Sequence, residues 1–488
     1  MTGYPKRGHG MTGYPKALIV ASEGMPFVKT GGLADVVGAL SKSLCALGLD
    51  ARVMMPRHAK VKYDFQDELE TVATTSIGLG WREKYLGVQA MERDGVIYYF
   101  IDNEDYFGDA VYRGGDAECE QYLFFCKAVC EALLLIDFDP DILHLNDWHT
   151  GMVPLLMKTQ YAGRFKKEKG MLFTIHNIEF QGKMDFGLMK DLLGVPGCYY
   201  TPEYVEARGC ANMMKAGLVF ADRISTVSPN YADEIMHPWF GLGMEGILSA
   251  RRNELCGILN GIDTEVFDPG NDPAIAAPFS AADISGKREC KKALREEFSL
   301  GTKLSTPIIS MVTRMTGQKG IELVRYALEE LLEEDIAFIM LGSGEQQYAD
   351  FFNYIAAKYP AKSGVFIGYD EGLSHRVYAG SDFLLMPSEF EPCGLSQMIA
   401  QRYGTLPIVR ETGGLVDTVA PYNMFTKEGT GFAFSTFNAH DMMAAVKLAL
   451  SVYGDKPVLR KLRRNAMLRD NSFSKSAEQY KALYKSML

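Results

Sequence analysis

Short runs of apolar residues recur along the chain, each bounded by turn-forming residues and separated by segments with helical periodicity. Within a run the apolar residues do not alternate with polar ones, so each predicted strand is buried on both faces, as in a parallel sheet covered by helices. The predicted strands span residues 17–20, 97–101, 142–145, 172–175, 224–227, 308–312, 338–341, 365–367, 383–386 and 406–409. This order of strands and helices predicts an α/β fold made of two doubly wound domains.

The length of 488 residues exceeds what one ordinary core accommodates. Gly, Pro and Asp cluster at residues 257–273, which predicts a domain boundary there. Residues 1–6 are repeated verbatim at 11–16, so the start of the chain is expected to be a disordered leader. The predicted organisation is a leader, an N-terminal domain, a C-terminal domain and a final helix, over residues 1–10, 11–256, 257–470 and 471–488.

One phrase, Thr-Gly-Gly-Leu, occurs twice, at residues 30–33 and 412–415. Each copy follows a predicted strand and precedes a segment that can be helical. Glycines allow a close approach of the backbone, and the free amides of a first helical turn point at negative charge. The repeat therefore predicts two similar domains that offer loops to one anionic ligand.

Composition narrows the class of partner. With 51 Lys plus Arg against 61 Asp plus Glu the net charge is −10, which argues against nucleic acid and anionic membrane as partners. Nine cysteines without a Cys-x-x-Cys pair indicate neither a disulfide framework nor a zinc site. Apolar stretches fall short of the roughly 20 residues that cross a bilayer. A cytoplasmic protein with a small or neutral partner is expected.

Three charged residues at predicted strand ends are candidates for group transfer. Arg314 and Lys319 follow strand 308–312, where two cations can stabilise charge on a leaving diphosphate. Glu391 follows strand 383–386, and a carboxylate there can stabilise an oxocarbenium-like carbon or attack it. Glu389 is the weaker choice, and a solvated surface glutamate is the structural alternative for either.

Lys29 directly precedes the first glycine loop and can neutralise phosphate oxygens, although most lysines are simply solvated. In the same half of the chain, two predicted strand ends carry polar groups that could bind sugar hydroxyls. These groups are Asp147, His149, His176 and Asn177. Trp148 could stack on a sugar face, and core packing is its equal alternative.

Taken together, these segments resemble the bacterial glycogen synthase and plant starch synthase family of retaining glucosyltransferases. The resemblance covers nearly the whole chain after residue 16. It is carried, in order, by residues 29–35, 144–149, 176–177, 260–263, 314 with 318–320, 391–395 and 412–415. Ile399 stands where many related transferases have a second glutamate, a difference that this branch shares.

The resemblance implies the GT-B fold, in which two Rossmann-like domains face a deep central cleft and the last helix crosses back to the N-terminal domain. The N-terminal domain would bind the acceptor and the C-terminal domain the nucleotide sugar. The implied reaction moves glucose from ADP-glucose, or less often UDP-glucose, to the non-reducing-end 4-hydroxyl of an α-1,4-glucan with retention. No metal or other cofactor is implied. A plant or algal member would lie in the plastid stroma, and the oligomeric state stays open.

The resemblance also implies residue roles. The implied catalytic residues are Glu391, His176, Arg314, Lys319 and Asp147. The implied nucleotide-sugar residues are Lys29, Gly31, Gly32, Arg314, Lys319, Tyr369, Gly394, Leu395, Thr412, Gly413 and Gly414, with Tyr369 stacking on the base and the loop glycines giving backbone amides. The implied acceptor and sugar residues are Glu23, Asp35, Trp148, Asn177 and Asn260.

Three alternatives stay open at this point. A covalent intermediate on Glu391 competes with front-face transfer, in which the leaving phosphate deprotonates the acceptor. A glycan phosphorylase would share the architecture but needs pyridoxal phosphate on a lysine. A catalytically silent glucan-binding protein is the third, although pure binding needs no diphosphate cations.

Overall fold

The computed structural model of the protein describes residues 14–488, so the predicted leader at 1–10 lies outside the described residues. The described chain forms two compact units. Unit 1 holds the residues up to Asn260 together with Phe473–Leu488, and unit 2 holds Gly261–Ser472. The predicted boundaries fall at 256/257 and 470/471, so both observed divisions lie a few residues further along the chain.

Unit 1 alternates strands and helices from its first residues. Its elements before the passage to unit 2 are β1 (Lys16–Val20), α1 (Gly32–Ala46), β2 (Asp50–Pro56), α2 (Ala59–Phe65), β3 (Glu70–Leu79), β4 (Arg82–Arg93), β5 (Val96–Asp102), α3 (Glu104–Phe107), α4 (Gly115–Leu135), β6 (Ile142–Asn146), α5 (Val153–Lys158), β7 (Gly170–Ile175), β8 (Lys183–Met184), α6 (Phe186–Leu193), β9 (Glu206–Ala207), β10 (Cys210–Asn212), α7 (Met213–Phe220), β11 (Arg223–Thr226), α8 (Pro229–Glu234), α9 (Pro238–Gly241), α10 (Glu245–Ala250) and β12 (Leu255–Gly257).

The main sheet of unit 1 has nine strands in the order β12-β11-β7-β6-β1-β2-β5-β4-β3. The strands from β12 to β5 are parallel. At the other end β4 and β3 are antiparallel, unlike the parallel strands that the apolar runs predict. The reason is the two-residue connection at Gly80 and Trp81, because so short a turn returns the chain beside itself.

Both faces of this sheet are covered at β1. Leu18 and Val20 point to a core that includes residues of α4, whereas Ala17 and Ile19 point to a core built with α1. The second core also contains Tyr480 of the final helix, α19 (Phe473–Ser486), which therefore belongs to unit 1. Burial on both sides explains why β1 is apolar at successive positions.

Unit 2 repeats the pattern with a purely parallel sheet in the order β15-β14-β13-β16-β17-β18. Its elements are α11 (Gly286–Glu297), β13 (Ile308–Val312), α12 (Ile321–Glu333), β14 (Ala337–Gly342), α13 (Gln346–Lys358), β15 (Ser363–Ile367), α14 (Glu371–Gly380), β16 (Phe383–Met386), α15 (Ser396–Arg402), β17 (Leu406–Arg410), α16 (Gly414–Thr418), β18 (Phe432–Phe434), α17 (Ala439–Gly454) and α18 (Lys456–Leu468). The two doubly wound domains predicted from the apolar runs are thus present.

Local sequence signals set several helix starts. Asn438 accepts a hydrogen bond from the amide of Asp441 at the start of α17, and Asp370 accepts one from Leu373 at the start of α14. Between residues 14 and 488 no helix is long and apolar enough to cross a membrane.

Candidate active site

Several of the predicted site residues follow the strands that form the topological switch point of each sheet. In unit 1 the strand β1 lies between β2 and β6, and in unit 2 the strand β13 lies between β14 and β16. Ligands of doubly wound folds bind beyond the carboxyl ends of the strands at such points. The segments that follow β1, β6, β13 and β16 carry Glu23 with the first glycine loop, Asp147, Arg314 with Lys319, and Glu391.

Lys319 and Glu391 form a buried ion pair in unit 2. The ammonium donates to Oε2 of Glu391 at 2.6 Å, and the hydroxyl of Ser388 donates to the same oxygen at 3.0 Å. The side chains of the pair are 14% and 7% exposed. The two residues predicted as catalytic from separate strand ends are therefore in direct contact.

Arg314 and Tyr369 are both open to solvent. Arg314 lies two residues beyond β13 and is exposed, and Tyr369 lies two residues beyond β15 with 68% of its surface exposed. Each is thus available at a strand end of unit 2, as a diphosphate contact and a base-stacking ring require. Their roles remain predictions.

Two amides of the second glycine loop donate to backbone carbonyls of unit 2. The amide of Gly414 donates to the carbonyl of Glu391 at 3.0 Å, and that of Leu415 donates to Thr412 at 3.0 Å. The prediction that this loop offers amides to a ligand is therefore wrong for Gly414. Its glycines instead let two backbone segments meet, since a Cβ on Gly413 would lie 1.9 Å from the carbonyl oxygen of Glu391.

Gly413→Ala should therefore destabilise unit 2 by about 3 kcal/mol, through the clash and through the left-handed φ of 46°. Differential scanning calorimetry measures the effect. Gly454→Ala is the matched control, because a Cβ there would meet no atom within 4 Å. Equal transition temperatures for the two variants would contradict the account.

Three further residues of unit 2 shape the loop around Glu391. Gly394 has a φ of 74°, and Leu395 directly precedes α15, so the chain turns sharply before the helix. Arg410, which the sequence reasoning missed, donates from Nε to the carbonyl of Ser388 at 3.0 Å and also bonds the carbonyl of Glu389. The signal for Arg410 was available, since it ends β17 directly before the glycine loop.

In unit 1 the first glycine loop is tied at two points. Oε2 of Glu23 accepts from the amide of Thr30 at 2.5 Å and from its hydroxyl at 2.7 Å. Lys29 pairs with Asp35 of α1 at 2.8 Å, which places this cation at the start of the loop. Gly31 follows as the N-cap of α1, and Gly32 is the first residue of that helix.

Asp147 is a buried carboxyl at the end of β6, with a left-handed φ of 57°. Its Oδ1 accepts from the amide of His176 at 2.8 Å and from that of Asn177 at 3.3 Å. These contacts tie the ends of β6 and β7 together, as the sequence predicts for one rim. Burial raises the pKa of Asp147 to about 7, and the charge of Glu23 adds to this rise.

His176 is held in a neutral form. Its Nε2 contacts Oδ1 of Asn146 at 2.9 Å, and burial lowers its pKa to about 3. His149 lies in the same cluster, and burial lowers its pKa to about 3 as well. Neutral imidazoles can exchange hydrogen bonds with sugar hydroxyls, whereas neither histidine can act as a cation toward phosphate near neutral pH.

Trp148 is part of the core, so the stacking role predicted for it is wrong. The residue is only 4% exposed. His149 covers one side of its ring at a centroid distance of 4.1 Å, and the backbone of Gly182 is so close that a Cβ there would lie 2.2 Å from the indole. Neither face is left for a sugar.

Asn260 is the last residue of unit 1 before the passage to unit 2, and it is buried. Among the described residues its side-chain oxygen has no hydrogen-bond partner. The assignment of Asn260 and Asn177 to the acceptor remains a prediction. In residues 14–488 no group of three or more His, Cys, Asp or Glu side chains is placed to hold a metal ion.

Comparison with known proteins places this geometry in a family. Residues 16–250 match the model of the starch synthase catalytic domain, and residues 294–469 match that of group 1 glycosyl transferases. A glycogen synthase of Geobacillus thermodenitrificans is 48% identical over 474 residues, which cover 97% of this chain and 98% of that protein. One of Bacillus cereus strain Q1 is 47% identical over 473 residues, or 96% of this chain and 99% of that protein.

Solved structures agree. The catalytic domain of starch synthase IV from Arabidopsis thaliana, bound to ADP and acarbose, superposes with a TM-score of 0.90 at 31% identity, covering 97% of this chain and 99% of that one. A sucrose-phosphate synthase from Thermosynechococcus elongatus, at 17% identity and a TM-score of 0.62, shares the GT-B fold alone. The chain belongs to the glycogen synthase and starch synthase family of glycosyltransferases.

Proposed function

We propose that the protein transfers glucose from ADP-glucose to the 4-hydroxyl at the non-reducing end of an α-1,4-glucan, with retention of configuration. The observation that carries this proposal is the buried Lys319–Glu391 pair at the switch point of unit 2. It combines a cation for a leaving diphosphate with a carboxylate for the sugar. The ADP and acarbose bound to the plant relative support the choice of donor and acceptor.

In this mechanism Arg314 and Lys319 bind the diphosphate oxygens. Lys319 has three N–H donors, and its bond to Glu391 uses one, so two remain for phosphate. As the bond from C1 to the phosphate oxygen breaks, these cations stabilise the charge that develops on the leaving ADP. Lys29 of the first glycine loop assists.

Retention follows from front-face transfer. The 4-hydroxyl of the acceptor attacks C1 on the side that ADP leaves, and its proton passes to the departing phosphate oxygen. The covalent route through Glu391 is disfavoured. One oxygen of this carboxylate already accepts hydrogen bonds from Lys319 and Ser388, and these bonds make that oxygen a weaker nucleophile. His176 and Asp147 are proposed to contact hydroxyls of the transferred glucose.

The decisive assay incubates the protein with glycogen and either ADP-glucose or UDP-glucose and follows nucleotide release. We expect release of ADP at a kcat/KM at least tenfold above that for UDP. Equal use of both donors would overturn the donor assignment. If neither ADP nor UDP is released, the proposed glucosyl transfer itself would be overturned.

No metal or organic cofactor enters the proposed reaction, because Arg314 and Lys319 supply the positive charge. Dialysis against a chelator should leave turnover within twofold of the untreated protein. An absorption band of a Schiff base in the near ultraviolet would instead support the phosphorylase alternative. A tenfold loss that returns with added Mg²⁺ would contradict the proposal.

A further inference from the structure

The first glycine loop is bonded to a carboxylate of the protein at Thr30, directly before the two glycines. Oε2 of Glu23 accepts both the amide and the hydroxyl of Thr30, at 2.5 and 2.7 Å. The amide and the hydroxyl of Thr30, at the entrance of the loop, are therefore already engaged within unit 1.

Glu23 is also poorly placed to bind the acceptor. It is only 2% exposed, three residues beyond β1 and beneath the loop. A side chain with so little free surface cannot offer its carboxylate to a glucan hydroxyl without leaving Thr30. The acceptor role that the resemblance implies is thus at odds with the geometry.

We propose that Glu23 is a positioning residue, which fixes the first glycine loop through Thr30 and thereby sets Lys29 for the diphosphate of the donor. The loop has a second tether in the Lys29–Asp35 pair, so its backbone and its cation are held from two sides. The role of Lys29 in this inference rests on the proposed function, whereas the tether between Glu23 and Thr30 is independent of it.

Both contacts to Thr30 use the same oxygen of Glu23, so three variants can test the contact. The amide oxygen of glutamine can accept both bonds, so Glu23→Gln should keep the donor KM within about threefold of wild type. Glu23→Ala leaves both donors of Thr30 without their acceptor. Thr30→Val removes the hydroxyl half of the contact and retains the shape of the side chain.

The experiment measures kcat, donor KM with ADP-glucose and acceptor KM with glycogen for these variants and for Glu23→Ala/Thr30→Val. We expect Glu23→Ala to raise the donor KM more than tenfold with the acceptor KM within threefold, and Thr30→Val to raise the donor KM less. The double variant should be no worse than Glu23→Ala. Glu168→Ala, at an exposed loop glutamate, is the control and should match wild type.

A higher acceptor KM with an unchanged donor KM would overturn the proposal in favour of acceptor binding. Unchanged KM values with a lower kcat, or additive effects in the double variant, would overturn it as well. If Glu23→Ala does not fold, Glu23→Gln and Thr30→Val still carry the comparison.

Hydrogen exchange followed by mass spectrometry separates the tether from the reaction. The peptide that contains Thr30 and Gly31 should exchange faster in Glu23→Ala than in wild type, and Glu23→Gln should resemble wild type. Unchanged exchange in Glu23→Ala would overturn the tether. If the wild type released no ADP, the proposed function would fail while this measurement still decided the tether.

Discussion

Lys319→Ala should lower kcat more than tenfold and destabilise unit 2 by about 3 kcal/mol. Turnover falls because the leaving diphosphate loses a cation that acts in the transition state. Stability falls because the Glu391 carboxylate, 7% exposed, remains buried without its partner. Turnover at saturating donor and calorimetric unfolding measure the two effects.

The double variant Lys319→Ala/Glu391→Gln separates these effects. It removes both charges together, so most of the lost stability should return while turnover stays low. Lys447→Ala is the matched control, since its pair with Glu330 at 3.3 Å is half exposed on both sides and contributes little. Full recovery of turnover in the double variant would contradict the assigned role of Lys319.

Arg314→Ala should also lower kcat more than tenfold, but with little change in stability. Arg314 is exposed, so its removal leaves no buried group without a partner. Lys319→Ala and Arg314→Ala should therefore differ in their stability, which calorimetric unfolding measures, and both should lose turnover. Near-normal turnover in both single variants would overturn the diphosphate site.

The apolar runs located most of the buried strands, although β2 was missed because Asp50 and Arg52 interrupt its apolar pattern. All the strands predicted from apolar runs are present, and most are apolar because both of their faces are buried. The exception is β15, in which Phe366 and Ile367 are exposed. The hairpin of β3 and β4 was missed, since β3 is mostly exposed and carries polar residues along its length. Partial exposure removes the signal on which the prediction depended.

The contacts of the site were likewise predicted only in part. A strand end can be located from the sequence, so Lys319 and Glu391 were found from two separate runs, and the sheet order then explains their contact. Which donor bonds which acceptor inside a loop depends on distances that spacing does not encode. For this reason the bonds of Thr30 to Glu23 and of Gly414 to Glu391 were not predicted, and core packing and sugar stacking stayed equal alternatives for Trp148.

Compared with the wild type, Asp147→Asn should stabilise unit 1 by an amount that grows as the pH rises. Burial raises the pKa of Asp147 from 3.8 to about 7 in the folded protein, so the folded state holds this proton more tightly than the unfolded chain. The resulting contribution is fully present below about pH 4 and is lost as the pH rises to 7. The difference between the two pKa values corresponds to about 4 kcal/mol in the free energy of unfolding.

Asparagine cannot ionise but can still accept the amide bonds of His176 and Asn177, and it tolerates a φ of 57°. The variant should therefore match wild type near pH 4 and exceed it by up to about 4 kcal/mol at pH 8. Buried histidines act in the opposite direction: burial lowers the pKa of His144 to about 3, and its contribution is lost as the pH falls below 6.5. The comparison must therefore be made between variants at each pH.

Urea unfolding followed by tryptophan fluorescence makes this measurement on unit 1, because all three tryptophans, Trp81, Trp148 and Trp239, belong to it. Asp64→Asn, at an exposed aspartate, is the control and should parallel wild type at every pH. A constant difference between Asp147→Asn and wild type from pH 5 to pH 8 would contradict the buried carboxyl. Since Asp147 is proposed to contact the transferred glucose, turnover should fall in the variant whose stability rises.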